Sequence, residues 1–234
     1  MDPMPSDPGA SPASGPHQGG RVVRAGAEPS GARLALVLLH GRGGGPEDMI
    51  GLGRHVAGPD VALVAPEARG NSWWPASFLA PEAENEPYAT SALTVVADLV
   101  AALEADGLPA GRIVLAGFSQ GGCLALETAA RLARPFKGVV GLSAGLIGTG
   151  TAPGGPDPAL YGHAPKRMDY PGRLDGVPVR VAVHERDPHI PIARARQSVE
   201  AFAAMGASAR INVHPGAGHQ PMPDDLEALR ALLA

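Results

Sequence analysis

Gly117-Phe118-Ser119-Gln120-Gly121 places a serine between two glycines in the G-x-S-x-G spacing. Where that pattern follows a strand and opens a helix, the turn lifts the hydroxyl above the sheet and sets it over a helix N-terminus. The run from Arg112 to Ala116 reads as the strand and Gln120 to Arg134 as the helix. Small residues at 117 and 121 let the two backbones approach, and the Gln120 N–H and the helix dipole favour an oxyanion. The chemistry this setting implies is attack by Ser119 on a carbonyl. The alternative, a glycine-rich turn holding an idle serine, does not need the strand before it and the helix after it.

A serine nucleophile needs a base, and the base needs an orienting carboxylate, in the chain order Ser, Asp, His for hydrolases of this topology. Of eight histidines, only His219 lies beyond the last apolar run, in Gly216-Ala217-Gly218-His219. It is the expected base, with His189 as the alternative; His184 and His214 end strands and read as structural. Asp187, in HERDPHIP just past a strand, is the expected carboxylate, whereas Asp169 and Asp175 read as solvated turn acids. A second oxyanion donor should come from His40-Gly41-Arg42-Gly43-Gly44-Gly45, with Arg42 supplying the amide. The same loop could cradle phosphate, but it lacks the lysine of a P-loop and the G-x-G-x-x-G spacing of a dinucleotide site.

These residues require a scaffold that brings distant strand ends together. Six aliphatic runs of four to eight residues begin near Leu34, Asp60, Arg112, Lys137, Val177 and Ala209, and read as strands buried on both faces. Helical patterns lie between them, over Ser91 to Asp106, before Gly206, and after Asp224-Asp225. The alternation predicts an α/β fold: a mostly parallel twisted sheet with helices on both faces, right-handed connections and no large separate cap domain. Two long irregular loops, 65–90 and 148–178, should wall the ligand crevice at the strand carboxyl ends.

The first of those loops holds Trp73, Trp74, Phe78 and Tyr88 out of nine aromatics in the chain. Trp73, Trp74 and Phe78 are candidate substrate contacts; the competing reading is that the rings pin the loop to the body. Glu82, Glu84 and Glu86 follow, and any that faced the crevice would favour neutral substrates. Cys123, one turn into the nucleophile helix, should be an inert buried thiol.

The chain has 234 residues, with 32 Gly and 25 Pro concentrated in a few stretches. Residues 1–20, rich in Pro, Gly, Ser and Ala, read as a disordered tail, and 21–234 as one catalytic domain. A net charge of −4 without a basic block argues against nucleic acid. The single cysteine excludes an intrachain disulfide or a cysteine metal site, and no cofactor or metal is expected. No apolar run reaches the roughly 20 residues of a membrane span, and the N-terminus lacks a signal-peptide pattern, so a cytoplasmic protein is expected. The expected partners are a small-molecule ester and, for assembly, a second copy in a homodimer.

LLHGRGG, GFSQGG, RDPHIP and GAGHQ, in this order and spacing, resemble the phospholipase/carboxylesterase branch of the α/β-hydrolase fold, relatives of acyl-protein thioesterases. The resemblance runs from Arg33 to the C-terminus, and NSWWPASF with NEPYATSAL is similar to a subgroup of bacterial carboxylesterases. It implies Ser119, Asp187 and His219 as the triad, the amides of Arg42 and Gln120 as the oxyanion hole, and no cofactor. The expected function is hydrolysis of small to medium neutral carboxylic esters. Thioester or lysophospholipid hydrolysis and acyl transfer would use the same chemistry. A non-catalytic binding protein on the same fold is the alternative of a different class, and it would need none of these residues.

Overall fold

The structure is a computed structural model that describes residues 15–234. In chain order its strands are β1 (Val22–Gly26), β2 (Leu34–Leu39), β3 (Val61–Pro66), β4 (Ile113–Phe118), β5 (Gly138–Leu142), β6 (Gly150–Thr151), β7 (Lys166–Arg167), β8 (Pro178–Arg186) and β9 (Ser208–Ala217). The helices are α1 (Pro46–Val56), α2 (Tyr88–Ala105), α3 (Gln120–Leu132), α4 (Ile192–Ala204) and α5 (Pro223–Leu233). Seven strands form one sheet in the order β1-β3-β2-β4-β5-β8-β9, and β6 pairs with β7 in a separate small ribbon. Only β1 runs antiparallel within the large sheet.

The aliphatic runs form strands because each residue has a covered face to enter. In β2, Ala35, Val37 and Leu39 belong to one core and Leu34, Leu36 and Leu38 to the other. The first core lies under α2, α3 and α4, and the second under α1 and α5, which contributes Leu229, Leu232 and Leu233. This is the mostly parallel, two-faced architecture the sequence predicts, without a separate cap.

Several expectations are corrected. β9 is not buried on both faces: it is the edge strand, and most of its side chains are partly or fully exposed. β1 and α1 are additions. β1 alternates on an edge, and α1 has Gly51 and Gly53 inside it, which dilute its helical signal. Gly53 packs closely on the sheet, since a Cβ there would stand 2.7 Å from Leu38 Cδ1 and that side chain would have to shift. The tail boundary at residue 20 is too late. Residues 1–14 lie outside the described residues, but Gly15–Gly20 form a turn seated on the body, with His17 only 2% exposed.

α2 is 18 residues long with a mean hydropathy of 1.4, enough by length and composition to cross a membrane. In the fold its apolar face, Ala92, Val96, Val100 and Leu103, covers the sheet.

Candidate functional site

Every element of the site meets at the carboxyl edge of β4. Ser119 lies between β4 and α3 with φ 53° and ψ −120°, a left-handed conformation that is strained for a residue with a Cβ. The turn is held by Ser119 N–H donating to the Leu142 carbonyl at 2.8 Å and by Cys123 N–H donating to the Ser119 carbonyl at 2.9 Å. A Cβ on Gly117 would stand 2.3 Å from the Gly121 carbonyl oxygen, and one on Gly121 would stand 2.2 Å from the Leu39 carbonyl oxygen. These contacts are backbone to backbone, so both glycines are steric requirements of the turn.

His219 hangs over this turn from the loop that follows β9. Its Nε2 is 2.8 Å from Ser119 Oγ, and its Nδ1 is 2.8 Å from Asp187 Oδ2. Asp187 cannot donate as a carboxylate, so Nδ1 carries the hydrogen and Nε2 is left to accept from the serine. Asp187 is 1% exposed, and its Oδ1 also accepts the backbone N–H groups of His189 at 2.9 Å and Ile190 at 3.0 Å. Burial would raise its pKa, but the hydrogen bonds from His219 and the two amides outweigh that and hold it below the usual carboxylate value. Tyr161 adds a hydrogen bond to the Asp187 carbonyl. His189, the alternative base, instead stands edge-on to His219 at 4.7 Å between ring centroids.

The loop His40–Gly45 passes beside Ser119, and a Cβ on Gly41 would lie 3.3 Å from Ser119 Cβ. Arg42 turns its guanidinium away from that point, onto Ser72 Oγ at 3.0 Å and the carbonyls of Pro75 and Ala76 at 2.9 and 2.7 Å. Gln120, at the first position of α3, has a side-chain role that the sequence did not suggest. Its Oε1 accepts the Trp73 N–H at 2.8 Å and its Nε2 donates to the Trp74 carbonyl at 2.8 Å. The carboxamide ties the first irregular loop to the nucleophile turn.

A cleft of about 520 Å³ opens over Ser119, with Trp74, Pro75, Ala76, Phe78, Phe118 and Ile190 giving it an apolar wall. Of the three aromatic candidates, Trp74 and Phe78 line the cleft and Trp73 does not. That ring is fully buried and its indole N–H donates to the His40 carbonyl at 2.9 Å, so it is part of the frame. Tyr88 is 38% exposed and packs against His17. None of Glu82, Glu84 and Glu86 lines the cleft, so they give no reason to expect neutral substrates. The second long loop likewise stays out of the wall. Lys166 from β7 supports it from behind, donating to the Phe78 carbonyl at 3.1 Å. Cys123 borders the cleft, with its thiol buried and its pKa pushed up to about 12 by desolvation. Among the described residues, no group of three or more His, Cys, Asp or Glu side chains is placed to hold a metal ion.

A serine hydroxyl bonded to an imidazole that is itself bonded to a buried carboxylate, at the floor of an apolar cleft, can add to an acyl carbonyl. Comparison with known proteins points to a family of esterase-type hydrolases. The sequence model of the Phospholipase/Carboxylesterase family matches residues 19–157. A putative esterase, NocK, of Nocardia uniformis subsp. tsuyamanensis is 33% identical over 192 residues, covering 77% of this chain and 53% of that protein. Acyl-protein thioesterase 1 of Gibberella zeae is 30% identical over 127 residues, 54% of this chain and 49% of that one. The chain thus spans about half the length of these curated relatives. Among solved structures, a phospholipase/carboxylesterase from Dyadobacter fermentans superposes with a TM-score of 0.81 at 36% identity, covering 92% of this chain and 97% of that one. Esterase PE8 gives a TM-score of 0.67 at 28% identity, with 92% and 96% coverage.

Proposed function

Because the chain belongs to the phospholipase/carboxylesterase family, with its esterase- and thioesterase-type α/β-hydrolase fold, we propose that it is a serine carboxylesterase acting on small to medium esters. The observation that carries this reading is the unbroken line from Ser119 Oγ through His219 to Asp187, both hydrogen bonds at 2.8 Å. Ser119 attacks the ester carbonyl as its proton passes to His219 Nε2, and Asp187 stabilises the imidazolium and keeps its orientation. The amides of Arg42 and Gln120 receive the oxyanion, the second of them aided by the positive end of α3. Collapse breaks the bond to the alcohol oxygen, which takes the proton from His219. Water then attacks the acyl-enzyme by the same route and returns Ser119 to its starting state.

The wall of Trp74, Phe78, Phe118 and Ile190 supports an uncharged acyl group, and this wall takes over the argument for neutral esters from the glutamates. Similarity to acyl-protein thioesterase 1 makes thioesters the second substrate class to try, since the same acyl-enzyme would form.

The test is Ser119→Ala in the full chain, assayed with aryl esters of graded acyl length and a palmitoyl thioester. The kcat should fall on the order of 10⁶-fold, as it does when the nucleophile of a triad hydrolase is removed. A fluorophosphonate should label the wild type and not the variant. Esterase activity retained in a clean Ser119→Ala preparation would sink the assignment.

A further inference from the structure

We propose that His17 is a positioning residue for this hydrolysis, acting through Trp73 to hold the loop that presents the Arg42 amide to the oxyanion. The inference rests on the serine-esterase reading and extends it to a segment whose composition gives no hint of a role.

His17 stands on a turn docked to the start of α2. Its N–H donates to Ser91 Oγ at 2.8 Å, Ser91 Oγ donates to Gln18 Oε1 at 2.7 Å, and Gln18 Nε2 donates to the Ser91 carbonyl at 3.0 Å. The imidazole is buried and both of its nitrogens are committed. The Arg69 N–H donates to Nδ1 at 3.1 Å, which leaves the hydrogen on Nε2, and Nε2 donates to the Trp73 carbonyl at 2.9 Å. One ring therefore clamps both ends of the segment Arg69–Trp73.

That segment in turn holds the oxyanion loop. The Gly43 N–H donates to the Asn71 carbonyl at 2.7 Å, and Asn71 Nδ2 donates to the Gly44 carbonyl at 2.8 Å. The Trp73 indole N–H donates to the His40 carbonyl at 2.9 Å, while the Trp73 backbone N–H reaches Gln120 Oε1. His40 is fixed the same way as His17, accepting the Ala68 N–H on Nε2 at 3.0 Å and donating from Nδ1 to the Gly41 carbonyl at 2.8 Å. The Arg42 amide thus lies between two pinned points, the His40 carbonyl and the Gly43 N–H, and both are held by residues within the clamp of His17. An apolar side chain of similar size would fill the space of His17 but leave the buried Trp73 carbonyl and the part-buried Arg69 N–H without this partner. Donors aimed at an oxyanion work through preorganisation, so small displacements of this loop matter to the rate.

The test compares His17→Leu and His17→Gln in the full chain, the second keeping one donor and one acceptor. The readouts are kcat and KM on an aryl acetate, and the affinity for a short aliphatic trifluoromethyl ketone, which binds as a tetrahedral adduct with an oxyanion. His17→Leu should lower kcat about ten- to a hundredfold with KM nearly unchanged, and weaken the ketone by a similar factor. His17→Gln should recover most of both. A role limited to stability would lower the unfolding temperature without moving the ratio of ketone affinity to KM. Wild-type kcat and ketone affinity in folded His17→Leu overturn the proposal. If that variant does not fold, Trp73→Phe decides: it keeps an aromatic ring at the position but loses the indole N–H that donates to His40, and an unchanged kcat in it refutes the coupling. Failure of the wild type itself to hydrolyse esters or react with a fluorophosphonate would refute the serine-esterase reading instead, so the two failures are distinguishable.

Discussion

At the residue scale, the site depends on where hydrogens and charges are allowed to sit. Asp187 is kept ionised by three N–H groups, which makes it a fixed anion under His219. Cys123, on α3, is the contrasting case. It borders the cleft, but desolvation pushes its thiol up to about 12, so little nucleophilic thiolate exists near neutral pH. Iodoacetamide at about pH 8 should leave Cys123 unmodified in the native protein and alkylate it fully in denaturant. Rapid alkylation of the folded protein, read by intact mass, would contradict the burial argument. Ser119, His219 and Asp187 were singled out by spacing and order along the chain, and the fold brings them within hydrogen-bond distance of one another. That Trp73 belongs to the frame was not readable there, because an indole in a loop looks the same in sequence whether its N–H meets a carbonyl or its ring meets a ligand.

At the element scale, glycines divide by what surrounds them. Gly121 touches the β2 backbone, so Gly121→Ala should lower stability by at least ~2 kcal/mol and remove activity with it. Gly51, exposed on α1 with nothing within 4 Å of where a Cβ would be, should give the opposite result: Gly51→Ala should raise stability by about 0.5–1 kcal/mol. Thermal unfolding of the two variants checks both, and equal effects would refute the packing account. The turn that carries His17 makes a separate, pH-dependent prediction. Burial lowers the pKa of both His17 and His40 in the fold, with the nearby charge of Arg69 adding to the effect at His17 and those of Glu67 and Asp48 opposing it at His40. As pH falls below the ordinary imidazole value of 6.5, the unfolded chain binds protons that the folded chain refuses, so stability falls. The loss begins near that value and continues until the lowered folded values are reached. The unfolding temperature should therefore drop as pH falls below about 6.5, and the drop should be smaller in His17→Gln. A slope identical in wild type and variant would remove His17 from the explanation. The central strands β2 to β5 were legible because they are buried on both faces. α1, β1 and the seat of Gly15–Gly20 were not, because their stability comes from tertiary contacts such as His17 with Ser91 and Gly53 with Leu38 rather than from local pattern.

At the scale of the whole molecule, the site exists only when the sheet is complete. Ser119 and His219 are 100 residues apart, and His219 and Asp187 are 32 apart. Each lies at the carboxyl end of a different strand, β4, β8 or β9, in the crevice where open α/β sheets bind ligands. The long loops then take different tasks: 65–90 supplies the apolar wall and the frame of the oxyanion loop, while 148–178 braces that wall and Asp187 from behind. The central claim is that this assembly forms a covalent acyl-serine. The direct measurement is rapid acid quenching of the protein during turnover of an aryl acetate, followed by intact and peptide mass spectrometry. One acetyl group per chain, on the peptide that contains Ser119 and absent from Ser119→Ala, is the predicted result. Turnover without any acylated Ser119, or the same adduct in Ser119→Ala, would contradict it.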